Sequence, residues 1–257
     1  VAVNPLVQQA ATLIANAEYT IALTGAGSST PSGVPDFRSP QSGLWEKFDP
    51  MIVASIHNFK HHPESFYEWV GPLAKTLLDA TPNPSHEAFA KLEALGKIQA
   101  IITQNIDMLH SRAGSQTVHE VHGHMRTATC IRCYAKYDGQ KLLQDFLSDD
   151  GKKVIRCEKC DGIIKPDVIL FGEQLPALVL EAAERAVRRC DLMIVAGSSL
   201  EVYPVADFPR QARTHGAKLI LVNYDTTSYD AVADVVIHDD VAKILPQIVS
   251  IVETIES

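Results

Sequence analysis

Four of the five cysteines fall in two Cys-x-x-Cys pairs, Cys130/Cys133 and Cys157/Cys160, with 23 residues between the pairs. Two such knuckles bring four thiolates together, the donor set that suits tetrahedral Zn²⁺. Four thiolates close the coordination shell and leave no position for water, so one structural rather than catalytic zinc per chain is expected. The bland alternatives are two redox pairs or four unrelated buried thiols. Cys190, just before an apolar run, reads as a packed small hydrophobe.

A second group of residues points to a phosphate-bearing ligand. Gly25-Ala26-Gly27 directly follows an apolar run, and glycines there let the backbone turn tightly and approach a pyrophosphate. The third position of G-x-G-x-x-G is Thr30, so the dehydrogenase fingerprint is incomplete and an ordinary strand-end turn stays open. A proline-rich loop follows, carrying Asp36, Phe37 and Arg38 in a row. Long irregular loops in compact domains are usually functional, although Asp36 and Arg38 could equally pair on the surface. Thr103-Gln104-Asn105-Ile106-Asp107 and Gly197-Ser198-Ser199 also follow apolar runs, and Asn223 ends another. Amide, hydroxyl and carboxylate groups at strand ends point into the ligand crevice of an open α/β sheet; helix capping and turn chemistry are the alternatives. His119, His122 and His124 form a cluster able to do acid–base work near neutral pH, or to serve structure alone.

The elements that must position these groups alternate. Asn4-Pro5 predicts an N-cap and first turn of a helix through Asn16; strands are predicted at 19–24, 98–103, 191–196, 218–223 and 235–238. Helices are predicted at 63–78, 84–95, 176–189, 206–215 and 241–255. Strands alternating with helices predict an α/β fold: a Rossmann-like parallel sheet with helices on both faces. Residues 124–168 break the pattern, hold the paired cysteines and carry nine Lys/Arg against seven Asp/Glu. They read as a small zinc-ribbon module inserted into the larger domain, accompanied by a helical insertion. The expected division is 1–39, 96–123 and 169–257 for the dinucleotide domain, with 40–95 and 124–168 forming the small domain.

A chain of 257 residues exceeds one nominal domain of about 150 residues. Its 46% apolar and 21% charged content excludes a disordered chain, and its net charge of −8 gives no field to recruit nucleic acid. No secretory leader is visible and no run approaches the length of a membrane span, so a cytoplasmic protein is expected.

Together, Gly25–Arg38 (GAGSSTPSGVPDFR), Thr103–Asp107 (TQNID), His122-Gly123, the two cysteine pairs, Lys165–Glu173 (KPDVILFGE), Gly197–Ser199 and Val222-Asn223 resemble the sirtuins, NAD-dependent protein lysine deacylases. The resemblance spans about residues 20–241 with the motifs in family order. It implies that Gly25, Ala26, Gly27 and Thr30 line the diphosphate and adjoining ribose, and that Asp36, Phe37 and Arg38 lie on a cofactor loop. Gln104 would contact the ribose beside nicotinamide, while Asn105, Ile106 and Asp107 form the nicotinamide pocket. Gly197, Ser198, Ser199, Asn223 and Val241 would hold the adenosine end.

The resemblance also implies the reaction. The acyl-lysine oxygen attacks the anomeric carbon of the nicotinamide ribose, nicotinamide leaves, and His122 acts as general base for a ribose hydroxyl. Free lysine and O-acyl-ADP-ribose result, with Asn105 and Asp107 counted beside His122 in the catalytic group. The substrate would add as an extended strand between Val168–Glu173 and Leu200–Tyr203, with Ile169, Phe171, Gly172, Glu173 and Val202 against it. Members that prefer acidic acyl groups carry Tyr-x-x-Arg in the helical part; here Tyr67 is followed by Val70, which favours acetyl and other neutral groups. The competing readings are protein mono-ADP-ribosyl transfer, a zinc-ribbon nucleic-acid binder, and a conventional dehydrogenase.

Overall fold

The computed structural model describes residues 4–37, 43–149, 151 and 153–256. Arg38 lies outside them. Helix α1 (Pro5–Asn16) begins as its sequence dictates: Asn4 accepts the amide of Leu6 at 3.0 Å and Pro5 occupies the first turn. Val7, Ala10, Ala11 and Ile14 recur at helical spacing and are buried.

Among the described residues, six parallel strands form the main sheet: β1 (Thr20–Thr24), β2 (Ala100–Thr103), β3 (Val118–Glu120), β7 (Leu192–Ala196), β8 (Lys218–Val222) and β9 (Val235–Ile237). Their order is β3-β2-β1-β7-β8-β9. The chain thus builds outward from β1 on one side, returns, and builds outward on the other. The β1/β7 border is the topological switch point, where the loops leaving the two strands diverge and open a crevice.

Alternate residues of each strand feed opposite faces. Ala22, Ile101, Ile194 and Ile220 enter a core with α1, α5 (Pro84–Ala94) and α10 (Val241–Glu256). Ile21, Leu23, Ile102, Val195 and Leu221 enter a second core with α8 (Ala177–Arg189) and α9 (Phe208–Thr214). Helices on both faces explain why these strands read as continuous apolar runs. Residue boundaries shift by one or two positions from the expected ones, and α9 is preceded by a 3₁₀ turn over Val205–Asp207. α5 shares the first core rather than joining the other helices of the expected 40–95 insertion.

The remaining insertion helices are α2 (Pro50–Val53), α3 (Ile56–His61) and α4 (Pro63–Asp79). α4 and α7 (Gly139–Ser148) share a third core that includes Phe66, Tyr67, Leu143 and Phe146. Beside it lies an antiparallel sheet, ordered β5-β4-β6, of β4 (Gly123–Cys130), β5 (Lys136–Asp138) and β6 (Ile164–Val168). A short helix, α6 (Leu109–Arg112), follows the loop leaving β2.

The four paired cysteines converge at one end of that small sheet, their sulfurs all within 4.8 Å of one another. Cys130 to Cys160 and Cys133 to Cys157 are each 3.5 Å apart between sulfurs. That is too long for a disulfide, and close to the roughly 3.8 Å edge of a tetrahedron built on Zn–S bonds of about 2.3 Å. The Tyr137 hydroxyl donates to Cys157 Sγ at 3.0 Å, a bond that favours the thiolate a metal requires. The donor set fits zinc. Cys190, by contrast, is buried against α8, with its thiol raised to about 12 by burial, the packed role expected of it.

Zinc measured by mass spectrometry is expected at one per chain, and Cys157→Ser or strong chelation should release it and lower the melting temperature of the small domain. Gly123 sits at φ +78°, and a Cβ there would lie 2.1 Å from the Asp167 carbonyl. Gly123→Ala is therefore expected to cost about 1–3 kcal/mol of stability in denaturant melts, since backbone rather than a flexible side chain must move.

Candidate active site

At the switch point the loop after β1 presses directly on the loop after β7. Gly25 N–H donates to the Ala196 carbonyl at 3.3 Å and Gly27 N–H to the Gly197 carbonyl at 2.9 Å. A Cβ on Gly25 would stand 2.8 Å from the Gly197 carbonyl, and one on Gly197 would stand 2.2 Å from Ser28 N. The loop continues as two 3₁₀ turns, Ala26–Ser28 and Thr30–Ser32, and the Thr30 hydroxyl donates back to the Gly27 carbonyl. Bare backbone therefore lines this part of the crevice, a surface that can approach a diphosphate closely.

A chain of hydrogen bonds crosses the carboxyl ends of five strands. Asn223, after β8, grips Ser198 on both sides: its Oδ1 accepts Ser198 N–H at 2.9 Å and its Nδ2 donates to the Ser198 carbonyl at 3.0 Å. Gln104, after β2, donates from Nε2 to Ser198 Oγ at 2.9 Å and from its backbone to the Thr24 carbonyl at 3.0 Å. His122, after β3, sets Nδ1 3.2 Å from the Gln104 carbonyl. A carbonyl can only accept, so Nδ1 carries the proton and Nε2 keeps the lone pair of a base. The three histidines of the sequence cluster separate: His119 lies near Arg185 and His124 near Arg126, while His122 alone joins this chain.

Below the chain lies a small cavity lined by Ala26, Ser29, Val34, Phe37, Leu73, Asn105, Ile106 and Asp107. Asp107 is 4% exposed; its carboxylate accepts Ser29 Oγ at 2.7 Å and Leu109 N–H at 2.9 Å. Burial nonetheless pushes its carboxyl above the ordinary range. A buried carboxylate in a largely apolar cavity suits a ligand that offers an amide N–H. The Asn105 amide serves the frame: Nδ2 lies 3.0 Å from the Gly25 carbonyl, 3.2 Å from Ser28 Oγ and 3.0 Å from Ser29 Oγ.

Several residues of this site lay outside the expectations. Asn83 donates to the Ser28 carbonyl and Ser85 Oγ does the same. His86 completes the capping box of α5, accepting Asn83 N–H at Nδ1, and is held neutral near 4 by burial. His110, fully buried, pairs with Thr24 Oγ1 at 2.9 Å, and its ring stands 4.8 Å from that of His86. The helix was expected at 84–95, but nothing in the sequence marked its cap or the packing of that cap on the Ser28 loop.

The residues expected against the substrate follow the small sheet. The strand ends at Val168. Beyond it, Ile169 N–H donates to the His122 carbonyl, and Phe171 exchanges backbone bonds with Ala54 and Ile56 on the helical side. Glu173 closes a turn, accepting Leu170 N–H at 2.8 Å and Lys165 Nζ at 3.1 Å. Its carboxylate is thus engaged within the protein and fixes the turn of the segment expected to meet the substrate. Gly172 stands exposed at φ +86° beside it, and Leu200–Tyr203, with Val202 half-buried, forms no strand. Ser199 is exposed, while the Val241 side chain packs in the first core and only its backbone could face a ligand.

Phe37 stacks on Trp45 at 5.0 Å, and Trp45 in turn meets Trp69 and Phe171. Backbone bonds from Leu44 and Trp45 to the Asp36 and Phe37 carbonyls hold this end of the cofactor loop. Trp45 and Trp69 escaped the sequence reading. On α4 the Tyr67 hydroxyl donates to the Ile164 carbonyl and Val70 lies in the third core. Leu73 and Leu77, one and two turns further on, face the cavity.

Residues 25–204 match the family model described as "Sir2 family". Among relatives, the chain is 44% identical to the NAD-dependent protein deacylase 2 of Archaeoglobus fulgidus over 252 residues, 98% of each chain. It is 43% identical to the NAD-dependent protein deacetylase of Sulfolobus acidocaldarius over 248 residues, 96% of each. It superposes with a TM-score of 0.89 and 40% identity on a Sir2 variant solved with a deacetylated p53 peptide and 3′-O-acetyl ADP-ribose, covering 95% of this chain and 97% of that one. The switch-point glycines, the carbonyl-anchored histidine and the four-cysteine module thus sit in a chain matched nearly end to end, and the protein belongs to the Sir2 family.

Proposed function

We propose that the chain is an NAD-dependent protein lysine deacetylase, yielding nicotinamide, free lysine and O-acetyl-ADP-ribose. The observation that carries this reading is His122 with Nδ1 held on the Gln104 carbonyl, one residue from the Asn105–Asp107 cavity and hydrogen-bonded through its own carbonyl to the segment that presents Phe171. The named activities of relatives at 43–44% identity point the same way.

Bound NAD supplies an electrophilic ribose carbon and a nicotinamide leaving group. Gln104, Asn105, Ile106 and Asp107 would hold that end, Asp107 accepting from the carboxamide. Gly25, Ala26, Gly27 and Thr30 would face the diphosphate, with Asp36, Phe37 and Arg38 on the covering loop. Gly197, Ser198, Ser199, Asn223 and the Val241 backbone would take the adenosine end. His122 accepts a proton from a ribose hydroxyl at Nε2 and returns it as the product breaks down. The aromatic group of Phe37, Trp45 and Phe171 excludes water, which limits competing hydrolysis.

The acyl-lysine peptide would lie extended between Ile169–Glu173 and the Val202 region, its backbone bonds giving affinity with modest sequence preference. Four cysteines hold the structural zinc. We assign 1–37, 84–123 and 169–257 to the dinucleotide domain, moving α5 into it on the strength of its packing. No helix of the described residues is long and apolar enough to cross a membrane; we take the cytoplasm as its place of action and neither membrane nor nucleic acid as a partner.

Mass spectrometry of an acetyl-lysine peptide, with and without NAD, tests this reading. Deacetylation is expected only with NAD, and His122→Ala should lower it by about a hundredfold or more. NAD-independent turnover would refute it, and ADP-ribose retained on protein would favour mono-ADP-ribosyl transfer. On matched peptides the acetyl group is expected to leave faster than succinyl, because Val70 stands where members that prefer acidic acyl groups carry an arginine, so a second carboxylate would meet no such cation.

A further inference from the structure

Seven residues, Glu120 to Arg126, carry the chain from the parallel sheet into the zinc-module sheet. At the start, Glu120 is the register partner of Thr103 on β2, and Val121, fully buried in the second core, donates to the Thr103 carbonyl at 3.1 Å. At the end, Met125 is buried in the third core. His122 and Gly123 occupy the crossing between two cores that belong to different domains.

The two ends of this crossing are tied together. Arg126 Nη1 donates to Glu120 Oε1 at 2.7 Å, and Nη2 donates to Oε2 of the same carboxylate. The pair is bidentate, the geometry that fixes orientation as well as attraction. The Glu120 side chain is 7% exposed and that of Arg126 is 44% exposed. Stripping the guanidinium would leave a buried carboxylate unpaired, beside the already strained ionisation of Asp107. His124, between the partners in sequence, is kept uncharged mainly by burial and so offers no substitute cation. Lys136 and Thr129, further along the small sheet, are engaged by Asp167.

We propose that Glu120 and Arg126 are positioning residues for His122: their ion pair clasps the crossing between the two sheets and holds the imidazole in register with the Gln104 carbonyl. Neither touches the reacting atoms. The clasp rests on the reading of His122 as the general base. It also goes beyond it, since the pair flanks His122-Gly123 and neither partner belongs to a sirtuin-like motif.

The test separates two stages of the reaction. Cleavage of the ribose–nicotinamide bond by the acyl oxygen requires no base and is reversed by added nicotinamide, so labelled nicotinamide exchanges into NAD. The later proton removal from a ribose hydroxyl requires His122. Arg126→Met is expected to lower deacetylation at saturation by about tenfold to a hundredfold, with nicotinamide exchange and the KM for NAD within about twofold of the parent. Arg126→Lys should recover part of the loss. The paired variant Glu120→Gln/Arg126→Met removes the buried charge together with the clasp, so it tests geometry even if the single variant folds poorly. It should show the same selective loss.

Nitrogen NMR of labelled histidine gives a readout independent of turnover. His122 should show the Nδ1-protonated tautomer in the parent and a mixture of tautomers in both Met variants. Equal loss of exchange and deacetylation, full activity of the paired variant, or an unchanged tautomer would overturn the clasp. A parent with neither NAD-dependent activity would overturn the functional reading instead, and the tautomer result would still decide the clasp.

Discussion

The contact on which the rest of the site depends is backbone against backbone: the Gly27 amide on the Gly197 carbonyl, across the switch point of the sheet. With any side chain at Gly25 or Gly197 the loops after β1 and β7 could not close to this distance. Ser198 would then be out of reach of the Gln104 side chain, and the chain of hydrogen bonds across the strand ends would break there. The glycines were read as making room for phosphate. They also make room for each other's loops, and the ligand surface is a consequence of that fit.

The polar groups nearest the cavity are largely engaged before any ligand arrives. Asn105 braces the Ser28–Ser29 turn, Ser29 donates to Asp107, and Asn223 holds both sides of Ser198. Such a frame is already organised in the protein, so ordering it does not subtract from binding. The cost appears at Asp107, whose carboxylate is desolvated with two donors to compensate it, and in the His86–His110 pair beneath, which burial holds neutral. A buried carboxylate kept partly satisfied is a place where one more N–H donor gains most.

The fold was legible wherever local chemistry and tertiary packing demanded the same residues. Asn4-Pro5 caps a helix whatever it packs on, an apolar run of five can serve a two-sided sheet, and paired cysteines at knuckle spacing have few other uses. Legibility ended where a residue's role depends on a distant element. Glu173 sits in a motif expected to meet the substrate, and that Lys165 and Leu170 hold its carboxylate shows only in the fold. α5 lies in sequence among the insertion helices but buries Phe89 and Leu92 against α10 and α1. Leu73 and Leu77 reach the cavity from the face of α4 that also carries Val70, a placement set by packing in the third core rather than by any local motif. Trp45 shows nothing in sequence beyond its bulk; its importance lies in meeting Phe37, Trp69 and Phe171 at once.

Placing a base between two sheets makes its geometry depend on both. The His122 carbonyl accepts from Ile169 just beyond β6, its ring bonds to Gln104 on the loop after β2, and the next residue is a glycine packed on the Asp167 carbonyl. β6 also carries Ile164, in the apolar cluster that surrounds Cys130 and Cys157. The metal module is thus joined to the imidazole through β4, which runs from Gly123 to Cys130, and through β6 paired beside it. A zinc that performs no chemistry can still govern it, because loosening the cysteine end frees the strand that fixes the histidine's backbone. Closed coordination serves that purpose better than a catalytic site would: a fourth thiolate in place of water makes the anchor stiff.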